Sequence, residues 1–409
     1  MTGTGPTASL GKALAWSVYL GVSWTWCIGM FLPVLMLRDY GPWGFAVFAV
    51  PNVVGAALMG WVLRTGEASL RMCRSHASAV RLFSLVTILF HLYFVWYLTQ
   101  AGWVQGPLWP WIAIGVFSLS IFTGLKTDNP TEALWPWGIS VTVIAFALYA
   151  GIEIRLPAGA SREFFGIPAV AWIAPVCIFG FLLCPYLDLT FHRARQSLTP
   201  RDSKVAFGVG FCAIFLAMIV FTAVYAGWLL GLGAIAARVP TAILLHMLVQ
   251  AGFTTGLHIR EGLRSFEWAG GNGARTSAAC VGAIGLVAGA AALVRLNPSD
   301  NISPAFELGY RVILSAYGLL LPAYVWLIMI PLRSQNTGPS KANTAVWLGA
   351  CALAAPAYWM GFIEGKEWWL APGLAIVLAA RVLISSQAAA RSPTQDRPPP
   401  ETPGSPKAT

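Results

Sequence analysis

About twelve stretches of this chain are apolar almost without a break, and each is close to twenty residues long. A helix crossing a hydrocarbon core of ~30 Å needs about that many residues. The runs do not alternate polar with apolar, which excludes an outer-membrane barrel. They occupy residues 13–37, 43–63, 79–98, 108–125, 133–152, 167–190, 205–230, 240–257, 277–294, 304–330, 345–362 and 368–384. Only 10% of the 409 residues are charged and 57% are hydrophobic, whereas soluble domains carry about 25% charged residues. A soluble globule could not cover that much apolar surface. Lipid is therefore the solvent for most of the chain, and the expected fold is an all-α polytopic membrane protein of about twelve transmembrane helices.

Charge orients the spans. The 26 Lys and Arg against 16 Asp and Glu give a net charge of +10, which in a soluble protein would suggest nucleic acid. Here it follows the positive-inside rule, and no nucleic-acid partner is expected. With the N-terminus in the cytoplasm, the inside loops collect Lys12, Arg64, Arg71, Arg74, Arg193, Arg201, Arg260 and most of the others. The outside loops hold only Arg38, Arg155, Arg162, Arg238, Arg295 and Lys366. The bias predicts an inner (plasma) membrane protein with both termini cytoplasmic. Most of the 19 Trp lie near span ends as interfacial belts, while Trp24 and Trp26 lie inside the first span. Seven Cys without a C-x-x-C pair read as small buried hydrophobes; Cys73 falls in a basic loop. Gly270–Gly273 reads as a flexible turn, and the Pro-rich residues 385–409 as a disordered cytoplasmic tail.

Two spans carry internal breakers. Span one contains Gly29 followed by Pro33, and span six contains Gly180 followed by Pro185. Proline removes a helix donor and clashes with the preceding turn, so each helix is expected to open there. Five spans separate the two copies, so the second copy would lie upside down. Inverted repeats with interrupted leading helices are a recurring transporter design. Span eight ends with Thr254 and Thr255 between Gly252 and Gly256, near its cytoplasmic end. Adjacent hydroxyls offer two ligands to a hard cation, or bond back to their own helix.

This pattern resembles the LeuT-type (amino acid–polyamine–organocation) superfamily, nearest to the sodium:solute symporters. The resemblance implies a five-plus-five inverted repeat with two peripheral helices. Residues 1–12 would be a cytoplasmic tail and 13–330 the transporter core, with 13–152 and 167–330 as its repeats and 343–384 as the peripheral pair. It implies sodium between Thr254 and Thr255 and first-helix carbonyls around Tyr19 to Ser23. It implies a small solute between Ser23, Trp24, Cys27 and Gly29 on one side and Phe179 and Gly180 on the other.

Ionisable groups at membrane depth are costly and mark function. His91, His246 and Asp188 are the candidate proton or polar sites. Asp188 is alternatively an ion-pair partner of His192 and Arg193, and the histidines are alternatively structural. Glu307 and Arg311, four apart, form an ion pair. Arg38-Asp39 is an outer cap or gate. Asn52 re-satisfies backbone freed by Pro51. The scarcity of buried carboxylates favours an apolar or zwitterionic solute. No catalytic motif stands out, and apart from sodium no metal or cofactor is expected. The function expected is alternating-access transport. The alternatives are a lipid-handling enzyme built on His91, His246 and Asp188, and a non-transporting scaffold whose central cavity is packed shut by Trp24 and Trp26.

Overall fold

The computed structural model describes residues 6–104, 106–233, 235–236, 238–266, 302–332 and 339–384. Among these, ten helices are long and apolar enough to cross a bilayer. The chain is an all-α polytopic membrane protein. In order, α1 is Pro6–Trp24, α2 Cys27–Val62, α3 Gly66–Ser75, α4 Ala77–Gln100, α5 Trp109–Lys126 and α6 Leu134–Tyr149. A two-stranded hairpin, Glu163–Phe164 with Ile167–Pro168, leads to α7, Ala169–Leu183, and α8, Leu189–Ser197. Then come α9 (Pro200–Leu229), α10 (Val239–Phe266), α11 (Pro304–Met329), α12 (Lys341–Phe362) and α13 (Glu367–Ile384). The expected span 277–294, the Gly270–Gly273 turn, Cys280, Arg295 and the tail from 385 lie outside the described residues.

Helix α2 has 36 residues, or about 54 Å at 1.5 Å per residue, which is too long for one crossing. It is the end of expected span one and all of span two, joined by a single bent residue rather than a loop. Gly41 turns the backbone with φ 64°. A Cβ there would lie 2.4 Å from the Ala158 carbonyl oxygen, so the bend needs glycine for both conformation and space.

The core sits around α10, the most buried span. Gly252 and Gly256, one turn apart, press its backbone onto α5: a Cβ at Gly256 would lie 2.3 Å from Ile121 O. Small residues at this spacing let membrane helices approach closely. That contact turns Thr254 and Thr255 toward α1 and α4. Because α10 runs on to Phe266, the threonine pair is mid-helix and not near its end, as the sequence had suggested. Helix α3 is amphipathic, capped by the Thr65 hydroxyl accepting from Ala68 N. Cys73 is buried in it and not loop-exposed.

Candidate functional site

The first span is interrupted at Thr25–Trp26, between α1 and α2. Short hydroxyl side chains compete there with the helix ladder. Ser23 Oγ donates to Leu20 O (3.1 Å) and Thr25 Oγ1 donates to Gly21 O (2.8 Å). Trp26 is extended, with φ −121° and ψ −174°. The break comes one turn before Gly29, which lies inside α2 against the Phe215 ring. Asn52 does not serve the Pro51 backbone as expected. Its Oδ1 accepts from Trp24 Nε1 at 2.7 Å and so fixes the tryptophan at the break. Cys27 contributes its carbonyl, which accepts from Tyr310 OH at 3.1 Å.

The sixth span is interrupted later than Gly180. Its α-helix ends at Leu183, a 3-10 turn runs Cys184–Leu187, and Asp188 is extended with ψ 114°. Pro185 and the cap explain the position. Asp188 Oδ1 accepts from Thr190 N and Thr190 Oγ1, both at 2.7 Å, and starts α8. Gly180 packs on the Tyr317 carbonyl. It lines a small cleft of about 60 Å³ walled by Leu32, Met36, Val176, Arg311, Leu314 and Tyr317. Phe179 points elsewhere, its ring 6.4 Å from that of Trp326.

The two breaks adjoin. The Trp24 ring lies 4.8 Å from Phe191, just past the second break, and 5.2 Å from Trp26. Trp26 meets Tyr317 edge-on at 5.1 Å and His91 at 5.8 Å. Phe83 completes a buried aromatic plug between them.

The candidate cation residues divide. Thr254 Oγ1 lies 3.3 Å from Val22 O, a carbonyl at the end of the first half-helix. Val22 O thus provides the meeting, and Tyr19 instead packs its ring on Trp16. Thr255 faces α4: its hydroxyl donates to Ala251 O (2.7 Å), so its oxygen accepts from His91 Nδ1 (2.8 Å). In that arrangement His91 carries its proton on Nδ1, and its buried Nε2 has no hydrogen-bond partner. His246 bonds Ser140 at 3.0 Å. His91, His246 and Asp188 thus have Thr255, Ser140 and Thr190 as separate partners.

Asp188 does not pair with His192 or Arg193 as the sequence suggested. His192 takes Ser69 Oγ (2.7 Å) and donates Nε2–H to Tyr186 O (2.9 Å). Arg193 reaches Glu261 at 4.0 Å, and Arg264 reaches Glu261 at 3.3 Å. Asp188 Oδ2 has no partner and lies 3.9 Å from His258 Nε2. Beside this end of the molecule His76, between α3 and α4, bonds Tyr324 OH at 3.0 Å. Burial pushes its pKa down to about 4.

At the other end of the broken first span, Glu307 and Arg311 pair as expected (2.7 Å), but within a larger network. Arg38 grips Glu307 with two bonds of 2.6 and 2.7 Å and also holds Asp39, which Arg311 reaches at 2.5 Å. Four charges tie α2 to α11. Sequence reasoning missed His258 and Glu261 because it ended span eight at Leu257. Gln250, Thr254, His258 and Glu261 recur at helical spacing and mark one polar face, a signal that extends the helix.

No family model matches the chain, and no curated protein does. Among solved structures it is similar to mutant forms of the manganese transporter of Eremococcus coleocola. Two are 12% identical, with TM-scores of 0.46 and 0.45, and each comparison covers 95% of this chain and 96% of that one. A third mutant is 11% identical, with the same coverage and a TM-score of 0.45.

Proposed function

We propose that this protein is a secondary transporter that moves a small solute by alternating access. The observation carrying the reading is that spans one and six are both interrupted and that the interruptions adjoin through Trp24 and Phe191. Interrupted helices leave peptide dipoles able to hold a solute where they line a cavity. Residues 13–152 and 167–330 are taken as the inverted repeats, 343–384 as peripheral helices, and both termini as cytoplasmic in the plasma membrane. The Arg38–Glu307 network serves as the outer gate. Sodium is proposed to enter between Thr254 Oγ1 and Val22 O, which already lie 3.3 Å apart. Thr255, committed to Ala251 and His91, plays the lesser part.

The test is uptake into proteoliposomes together with sodium-dependent thermal stabilisation. A ligand at about 100 times its Kd stabilises by ~2.7 kcal/mol, so sodium should raise the Tm of the parent protein. Thr254→Ala should lose that rise, and Thr255→Ala should keep most of it. A parent protein indifferent to sodium in both assays ends the sodium assignment.

A non-transporting scaffold is favoured by a different observation, the aromatic plug in which Trp24 and Trp26 are almost wholly buried. Solute uptake that responds to Trp26→Ala excludes it. Absence of any uptake across a broad solute panel supports it.

A further inference from the structure

Asp188 stands where the sixth span stops, entirely withdrawn from solvent. One carboxylate oxygen is fully used, accepting two bonds from Thr190. The other, Oδ2, is buried with no hydrogen-bond partner. Across from it on α10 is His258, also buried, whose Nδ1 lies 3.2 Å from Ser84 Oγ and whose Nε2 is 3.9 Å from Asp188 Oδ2. That distance is too long for a hydrogen bond. A buried carboxylate oxygen left unfilled is costly, and the imidazole across from it is a group that can either give or take a proton.

The surrounding charges are directed elsewhere. From α8, Arg193 turns to Glu261, and His192 is held by Ser69 and the Tyr186 carbonyl. From α10, Arg264 goes to Glu261 and Arg260 to Asp128. From α1, Tyr19 lies near both Asp188 and Glu261. From α11, the Tyr317 hydroxyl is bonded to Thr87. From α4, the Arg81 guanidinium goes to Ser265, while His91 is bonded to Thr255. Among the described residues no cation is bonded to Asp188 Oδ2. The Phe83 ring, 6.1 Å from that of His258, forms an apolar wall beside the imidazole.

We propose that Asp188 and His258 form one proton-binding site at the break of span six, whose occupancy draws α8 and α10 together. The bound proton sits between Oδ2 and Nε2, and closing the gap to about 2.8 Å makes a charge-assisted or neutral hydrogen bond, according to which atom carries it. One proton enters on closing and one leaves on opening. The site stands on this geometry alone. Only its use as the coupling ion rests on the transport reading above, in which a proton would work with or instead of sodium.

The experiment uses the full chain in lipid nanodiscs, with selective 15N labelling of its five histidines followed through a pH titration. The His258 imidazole, identified by its loss in His258→Gln, should change its titration midpoint by more than about one pH unit in Asp188→Asn. Should Asp188→Asn fail to fold, His258→Gln keeps the cap of α8 intact. In that variant, the infrared band of the Asp188 carboxylic acid should appear at a different pH from that in the parent. A His258 midpoint unmoved by Asp188→Asn, or an Asp188 band unmoved by His258→Gln, overturns the site. Uptake in proteoliposomes is read separately. Lack of any uptake counts against the transport reading and leaves the imidazole result to decide the site.

Discussion

Two clusters of charge among the described residues, at opposite ends of the interrupted helices, are built differently. At the Arg38 end, two guanidiniums and two carboxylates interlock through bonds of 2.5 to 2.8 Å, and both Glu307 oxygens are used. At the Asp188 end the contacts are loose: Arg193 stands 4.0 Å from Glu261, His258 stands 3.9 Å from Asp188, and one carboxylate oxygen is unfilled. Charge pairs that replace their hydration with several good bonds fix a geometry, whereas incompletely satisfied ones leave room for a second arrangement. The Arg38 network therefore reads as a closed lock and the Asp188 cluster as the end prepared to move.

The largest expected effect separates the two ends directly. Glu307→Gln removes the carboxylate that both Arg38 and Arg311 share. Breaking a buried pair costs about 3–5 kcal/mol; since these side chains are partly exposed, we expect about 2–4 kcal/mol, read as a fall in Tm in detergent. No measurable fall would show the lock to be ornamental.

Acid should find the other end first. The folded pKa of His76 is held near 4 by burial, below the ~6.5 of an unfolded histidine. The unfolded chain then binds the proton more readily. Stability is complete above pH ~6.5 and falls as pH drops toward 4. The His76 share of the loss is on the order of 3 kcal/mol, and His76→Gln should remove that share in a Tm-against-pH series. The four residues of the Arg38 network include no imidazole. An acid profile identical in parent and variant would remove this asymmetry.

The smallest effect sharpens the contrast. Asp188→Asn keeps an oxygen to accept from Thr190 and replaces the unfilled oxygen by an amide donor facing His258. At neutral pH it should change stability by less than about 1 kcal/mol, far less than Glu307→Gln. A loss as large as that of Glu307→Gln would make the two ends equivalent.

Much of this was legible in the chain. Apolar run length located most described spans to within a few residues, because bilayer thickness is a one-dimensional constraint, but it ended span eight nine residues short of Phe266. The breakers told which helices open, but the openings are displaced from Gly29 and Gly180 to Thr25–Trp26 and Cys184–Asp188. Hydroxyl back-bonding and the Asp188 cap decide that register, and breaker counting ignores both. The Thr254 hydroxyl meets a first-helix carbonyl, that of Val22, within the expected Tyr19–Ser23 stretch. Asn52 looked like a proline's helper and proved to be the partner of Trp24, because a polar side chain in lipid takes whichever partner the fold brings near. His258 and Glu261 were lost when hydropathy ended span eight at Leu257, although the helix continues wherever packing pays for its polar face.

By itself, the sequence determined the solvent, the all-α class, the approximate place of most spans and which two rods are interrupted. Each of these depends on neighbours along the chain, on hydrogen bonds closed within one helix and on apolar length matched to lipid. Only the tertiary structure decided that Glu307 holds Arg38 as well as Arg311, that the threonine pair splits between α1 and α4, and that Asp188 looks across at His258. Those pairings join residues from dozens to hundreds of positions apart. Helix packing chooses them by which small residues let two backbones touch, and a linear pattern does not carry that information.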